Sequence, residues 1–259
     1  MPSPAESSAL RVAGLTVGYG SVIALEDLDL EIPYGASVAV LGPNGSGKSS
    51  LFAAAVGLLS PRAGSIDTGP RGIAWLPQQL DVEPTFPVTV RDVVAMGRWG
   101  QGRDGRRRWL ARADSEDRER VEEAMGALGI AELADRRLHA LSGGQRQRAL
   151  LAQAMVQDAG LILLDEPLTG VDRPTATAIG KLIRRWRDEG RTVMVATHDL
   201  ESAARDYDLV LAINRRAIAF GPAADVCTEA TLRETFSGHV VRLHGEDIVD
   251  TSHHHHGAS

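Results

Sequence analysis

The stretch Gly42-Pro43-Asn44-Gly45-Ser46-Gly47-Lys48-Ser49 decides the fold. A glycine, four residues and then Gly-Lys-Ser is the spacing of a phosphate-cradling loop. Such a loop needs a strand before it and a helix after it, and the flanking residues supply both. Ala36-Ser37-Val38-Ala39-Val40-Leu41 is a mostly apolar run that reads as a buried strand. Ser49-Ser50-Leu51-Phe52-Ala53-Ala54-Ala55-Val56 reads as a helix. Glycines let backbone N–H groups turn inward around a phosphate. The helix adds the positive end of its dipole and its unpaired first-turn N–H groups. Lys48 brings a mobile positive charge, and Ser49 a hydroxyl suited to Mg²⁺. A Gly-rich turn with an exposed lysine is the plainer alternative, and the remaining residues weigh against it.

The chain has 259 residues, enough for one large domain or two small ones. Its 43% hydrophobic and 24% charged content is that of an ordinary globular protein. A net charge of −6 disfavours wholesale nucleic-acid binding. Cys227 is the single cysteine, so no intrachain disulfide forms, and a reducing compartment fits. Cys227 itself reads as a small buried or loop residue. Met1 to Glu6 has no basic-then-apolar pattern, so no signal peptide is expected, and no apolar run reaches membrane-spanning length.

Leu10 to Val17 and Leu25 to Ile32 alternate as half-buried strands do, with a turn at Gly18-Tyr19-Gly20-Ser21. Pro61 to Gly64 reads as a loop and Gly72 to Pro77 as a strand. From Gln78 to about Arg137 the pattern turns helical. Val90 to Met96 carries apolar residues at helical spacing, and Asp114 or Ser115 would cap a helix with the stripe Val121, Met125 and Leu128, ended by Gly129. Ala149 to Val156 and Thr175 to Asp188 read as helices. Leu161 to Leu164 and Thr192 to Ala196 read as buried strands, and Leu209 to Ile213 with Ala217 to Phe220 as a hairpin. Strands alternating with helices predict a mostly parallel sheet with ligand groups at the strands' carboxyl ends.

Asp165 and Glu166 stand where an apolar strand ends, the place for a Mg²⁺-holding carboxylate. Adjacent carboxylates diverge, so Asp165 can hold metal while Glu166 orients and deprotonates water. Leu141-Ser142-Gly143-Gly144-Gln145 ahead of a helix is a second anion-cradling sequence. One nucleotide rarely needs two such loops in one monomer.

Leu-Ser-Gly-Gly-Gln between the phosphate loop and the Leu161–Glu166 strand resembles the nucleotide-binding subunit of an ATP-binding-cassette transporter, over about residues 8 to 240. The resemblance implies an α/β fold of the P-loop NTPase class. It would have a mostly parallel RecA-like core, an antiparallel β subdomain and an inserted α-helical subdomain carrying the Leu-Ser-Gly-Gly-Gln signature. A single nucleotide-binding domain is then expected over residues 1–245. Its core would span about 8–80 and 146–245, its helical part about 81–145, and a flexible His-containing tail 246–259.

The resemblance also implies site roles. ATP would lie on Gly42, Pro43, Asn44, Gly45, Ser46, Gly47, Lys48, Ser49 and Ser50, with Tyr19 stacked on adenine. Ser50 stands where the family more often has threonine, and both carry a hydroxyl. Mg²⁺ would be held by Ser49, Gln78 and Asp165. Glu166, His198, Gln78 and Lys48 would serve catalysis, Gln78 being preferred over Gln79 because it directly follows the proline. Ser142, Gly143, Gly144, Gln145 and Asp172 would close over the ATP of a second subunit packed head to tail. A homodimer of ATPase subunits follows, peripheral to the cytoplasmic face of the membrane. It would contact integral permease subunits through about Gln78 to Trp99 and, indirectly, an extracytoplasmic solute-binding protein, with no nucleic acid involved.

Phe86 to Trp99 and Leu138 to Arg148 are similar to the ATPases of manganese, zinc or iron importers. The reading is therefore an ATPase driving divalent metal import. The alternatives are a siderophore- or vitamin-type importer and a soluble non-transport ATPase, with an exporter subunit disfavoured. The basic run Arg103 to Arg112 reads more readily as a solvated helix end than as a lipid or permease contact. His253 to His256 reads more readily as tail residues without a role than as a metal tract.

Overall fold

The computed structural model describes residues 8–78, 87–99, 115–236, 241–243 and 246–248. Gln79, Asp114, the basic run Arg103 to Arg112 and the His253 to His256 tail lie outside the described residues. In chain order the elements are β1 (Ser8–Tyr19), β2 (Val22–Pro33), β3 (Ser37–Leu41), α1 (Lys48–Ala55), β4 (Ala63–Thr68) and β5 (Ile73–Leu76). Then come α2 (Val90–Met96), a 3-10 turn at Gly97–Trp99, α3 (Ser115–Ala127), α4 (Gly143–Val156), β6 (Leu161–Asp165), α5 (Arg173–Asp188) and β7 (Thr192–Thr197). The chain continues through α6 (Leu200–Asp206), β8 (Leu209–Ile213), β9 (Ala217–Pro222), α7 (Ala223–Val226) and α8 (Glu229–Thr235) to β10 (Val241–Leu243) and β11 (Glu246–Ile248). These elements form an α/β fold of the P-loop NTPase class. Among the described residues no helix is long and apolar enough to cross a membrane.

The residues group into two compact units, the first made of Met1–Ala9, Pro33–Gly35 and Thr68–Val193. In it β5 and β6 pair in parallel, from Ile73 opposite Leu161 to Leu76 opposite Leu164. Every residue of β6 is buried, as expected for an apolar strand covered on both faces. Helix α2 starts at a capping box. The Thr89 side chain accepts from the Asp92 N–H at 3.2 Å, and Asp92 accepts from the Thr89 N–H at 2.9 Å. Val90, Val93 and Val94 are buried in it. Helix α3 buries the predicted stripe at Val121 and Met125, with Leu128 beyond its end. The Ile130 N–H then closes back on the Met125 carbonyl at 2.9 Å, past Gly129 at a φ of 61°. Both α2 and α3 pack on α4. Arg98, just after α2, pairs with Asp117 of α3 at 3.3 Å, both side chains largely buried. Helix α5 buries Ile179, Leu182, Ile183 and Trp186, one face at i, i+3, i+4 and i+7.

The second unit holds Leu10–Ile32, Ala36–Asp67 and Met194–Ser259. Strands β2, β1 and β4 form one sheet in that order. The two-residue turn Gly20-Ser21 joins β1 to β2, a connection open only to antiparallel neighbours. In a second sheet β7, β3, β8 and β9 lie side by side in that order. There β3 and β8 are parallel, and β8 and β9 form the predicted antiparallel hairpin. Ser37, opening β3, gives its N–H and its hydroxyl to Asp208, at 3.0 and 2.6 Å, which ties the start of β3 to the start of β8.

Strand β4 departs from the expected loop at Pro61 to Gly64. It begins at Ala63 and is mostly exposed, so it carries no apolar alternation and its pairing beside β1 defines it. Helices α6, α7 and α8 were also not expected. They are four to seven residues long, about one to two turns each.

Among the described residues Trp186 is the largest enclosed side chain, 2% exposed. Trp186→Ala is expected to lower stability by about 3–5 kcal/mol through lost burial plus the cavity it leaves. Urea denaturation of the two proteins checks it, by comparing midpoints at unchanged slope.

Candidate nucleotide-binding and catalytic site

The phosphate loop runs from the end of β3 into α1, and its shape is set by close backbone approach. A Cβ on Gly42 would collide with the Ile213 carbonyl of the β8–β9 hairpin. Gly47 sits at a φ of 106°, and a Cβ there would lie 2.7 Å from the Ala24 carbonyl. Both positions therefore require glycine. Inside the loop the Ser46 N–H donates to the Pro43 carbonyl at 3.2 Å. Lys48 is 6% exposed, and its Nζ donates to the carbonyls of Gly42 at 2.6 Å and Pro43 at 3.0 Å. The ammonium is thus folded over the loop. Among the described residues the buried Ser46 Oγ has no hydrogen-bond partner. A buried hydroxyl without a partner, beside a lysine and a helix N-terminus, suits an incoming anion. Ser49 is exposed in the first turn of α1, and Ser50 is buried.

The hairpin holds this loop at a second point, which sequence reading missed. The Arg215 N–H donates to the Ser46 carbonyl at 2.8 Å, and the Arg215 carbonyl accepts from the Glu26 N–H at 2.7 Å. Arg215 adopts a φ of 61°, a left-handed conformation unusual for a side chain of its size. In a trans peptide the carbonyl and the following N–H point in opposite directions. Fixing the Ser46 carbonyl outward therefore turns the Gly47 N–H toward the inside of the loop. The turn at Asn214-Arg215-Arg216 was legible, but its bond to the loop was not. The same unit carries Tyr19, 57% exposed at the end of β1, and His198, exposed directly after β7.

In the other unit the structure brings Gln78, Glu166 and Thr169 together. Glu166 follows β6 and is half-buried, with a strained φ of 49°. Its Oε2 accepts from the Gln78 Nε2 and from the Thr169 hydroxyl, both at 3.0 Å. Its carbonyl accepts from the Thr169 N–H at 3.1 Å, so the strained turn is held at three points. Thr169 is a second contact that sequence reading missed. Asp165 is 2% exposed as the last residue of β6. A carboxylate and an amide oxygen are hard donors, so Asp165 and Gln78 suit Mg²⁺ in kind, and by itself the Ser49 hydroxyl of the other unit is a hard donor too.

Ser142 caps α4. Its Oγ accepts from the Gln145 N–H at 3.3 Å, and Gln145 Oε1 accepts from the Ser142 N–H at 3.1 Å. Ser142 and Gly143 are exposed. A Cβ on Gly144 would lie 3.7 Å from Thr175 Oγ1, so the signature loop sits against the start of α5. There Asp172 caps the helix, accepting from the Thr175 N–H at 3.1 Å. The hydrogen bonds from Thr175, then the charge of Arg148, hold its carboxyl below the usual carboxylate range.

The family model for the ABC transporter matches residues 25–169, and the chain belongs to that family. It is an ATP-binding cassette, a nucleotide-binding ATPase coupled to transport. The zinc transport system ATP-binding protein TroB of Treponema pallidum is 37% identical, with 96% of this chain and 97% of that one aligned. The manganese transport system ATP-binding protein MntB of Bacillus subtilis is 36% identical over 93% of this chain and 97% of its own. Among solved structures, an inward-facing ABC transporter of metal-chelate type superposes with a TM-score of 0.76 at 29% identity, covering 88% of each chain.

Asp172 and Asp92 both have folded pKa values lowered from 3.8. Their contribution is present above that value and is lost as pH falls through the lower folded value. Asp172→Asn keeps a capping side chain but cannot titrate. Acid unfolding followed by circular dichroism is expected to show a shallower loss of stability below about pH 4 for the variant.

Proposed function

We propose that this cassette drives import of a divalent metal ion, manganese, zinc or iron, through separate membrane permease subunits. The observation that carries the reading is the near end-to-end match to ATP-binding proteins named for zinc and manganese transport, at 36–37% identity. A chelated-iron transport protein, YfeB of Yersinia pestis, is 38% identical over 88% of this chain. The metal-chelate structure favours a second reading, uptake of a chelated metal or siderophore.

In the proposed mechanism Tyr19 stacks on adenine, and the phosphate loop with Lys48 cradles the β and γ phosphates. Ser49, Asp165 and Gln78 would hold Mg²⁺, which when bound neutralises charge on the phosphates. Glu166, with its carboxylate oriented by Gln78 and Thr169, positions and deprotonates the attacking water. His198 contacts the γ-phosphate. Two cassettes pack head to tail, so that Ser142, Gly143, Gly144, Gln145 and Asp172 of one close over the nucleotide of the other. The γ-phosphate adds charge-assisted contacts that ADP lacks, so hydrolysis releases the closed state. The dimer sits on the cytoplasmic face of the membrane. There the segment from about Gln78 to Trp99 meets the permease, and a solute-binding protein acts on the far side. About 81–145 forms the helical part of a single domain over residues 1–245.

Glu166→Gln is expected to retain MgATP and accumulate as a dimer in light scattering, whereas a variant that stays monomeric with MgATP removes Glu166 from water activation. Lys48→Ala is expected to lose ATP hydrolysis. In cells carrying Lys48→Ala in place of the wild type, total manganese, zinc and iron is then read by mass spectrometry. A selective fall of one metal supports import and names the cargo. A rise reverses the direction, and no change shifts the reading to chelated uptake.

A further inference from the structure

Arg62 reaches across to the turn that carries Tyr19. Its backbone N–H donates to the Thr16 carbonyl at 2.8 Å, which roots it beside β1 just ahead of β4. Its Nη2 then donates to the Gly20 carbonyl at 2.6 Å and, more weakly, to the Val22 carbonyl at 3.4 Å. A guanidinium is a planar fork with several N–H donors, so one side chain can hold more than one carbonyl of a turn. Here they are the carbonyl of Gly20, inside the two-residue connection Gly20-Ser21 at a φ of 54°, and that of Val22 just after it.

This turn displays an unusual surface. Tyr19, Val22 and Ile23 are 57%, 61% and 39% exposed. An exposed aromatic ring is a platform for a flat heteroaromatic ring. A glycine-containing turn on its own samples many conformations, and stacking a ring on it would cost that freedom. Two carbonyls held by a charged donor remove much of the freedom before any ligand arrives, which raises affinity through preorganisation. The phosphate loop is held by different contacts, the β8–β9 hairpin and Lys48. The two halves of a nucleotide are therefore anchored by separate devices within one unit.

We propose that Arg62 is a positioning residue for the nucleobase. It locks the Tyr19 turn in its stacking conformation and so sets affinity for the adenine ring, not for the triphosphate. The proposal rests on Tyr19 being the stacking residue.

The test measures ATP hydrolysis by the full chain as wild type, Arg62→Ala, Arg62→Lys, Tyr19→Ala and the Arg62→Ala/Tyr19→Ala pair. Inorganic tripolyphosphate serves as a competitor that has no base. Arg62→Ala is expected to raise KM for ATP about two- to tenfold, the scale of one hydrogen bond. Its kcat should stay within about twofold, as for lost uniform binding. Arg62→Lys, which keeps a charged donor, should recover part of the affinity. Inhibition by tripolyphosphate should be unchanged, and Arg62→Ala should add nothing once Tyr19 is alanine. The proposal is overturned if Tyr19→Ala raises KM while Arg62→Ala does not. It is equally overturned if Arg62→Ala weakens tripolyphosphate as much as ATP, or if the two substitutions simply add. If Tyr19→Ala leaves KM unchanged, the stacking role itself fails and the proposal falls with it.

Discussion

The backbone of the β8–β9 hairpin presses against the phosphate loop, and much of the structure follows from that contact. Ile213 leaves no room for a side chain at Gly42, while Arg215 holds the Ser46 carbonyl. Holding the Ser46 carbonyl turns the Gly47 N–H inward, and Lys48 folds back over the Gly42 and Pro43 carbonyls. The arrangement requires β3 and β8 to run parallel with matched ends, and Ser37 and Asp208 secure their starts. A phosphate site made of backbone groups is only as good as the scaffold that holds the backbone still.

The Glu166 carboxylate is held in a different way. Glu166 is kept in a left-handed conformation at the end of β6, a state that costs free energy unless neighbouring groups define it. Thr169 and Gln78 provide that definition. Nearby, Ser142 and Asp172 each cap a helix, so two polar side chains that resemblance assigns to a partner's nucleotide also terminate α4 and α5.

The elements that could be read in advance were those with strong local signals. Strands β3, β6 and β7 are continuous apolar runs, buried along their whole length. The stripe of α3 appeared at helical spacing, and α5 was read as a helix from Thr175 to Asp188. The motifs placed Gly42 to Ser49, Asp165, Glu166 and Ser142 at strand and helix ends, where the structure has them. What escaped was weakly patterned or distant in sequence. Strand β4 is an exposed edge with no alternation, and α6 to α8 are short, four to seven residues each. Thr169 and Arg62 carry common side chains whose partners no spacing rule identifies.

Sequence alone determined the residue types that chemistry demands. These are glycines where a backbone must approach, a lysine and a serine at a helix start, adjacent carboxylates after an apolar strand, and capping residues ahead of helices. These are local requirements, met within a few residues, so a linear reading can find them. Tertiary structure decided which distant groups hold those residues in place. Arg215 lies far along the chain from Ser46, Gln78 from Glu166, and Arg62 from the Tyr19 turn, and each contact arises only when strands pair. The reason is geometric. A hydrogen bond demands atoms within about 3 Å, and only the folded sheets bring such separated residues that close.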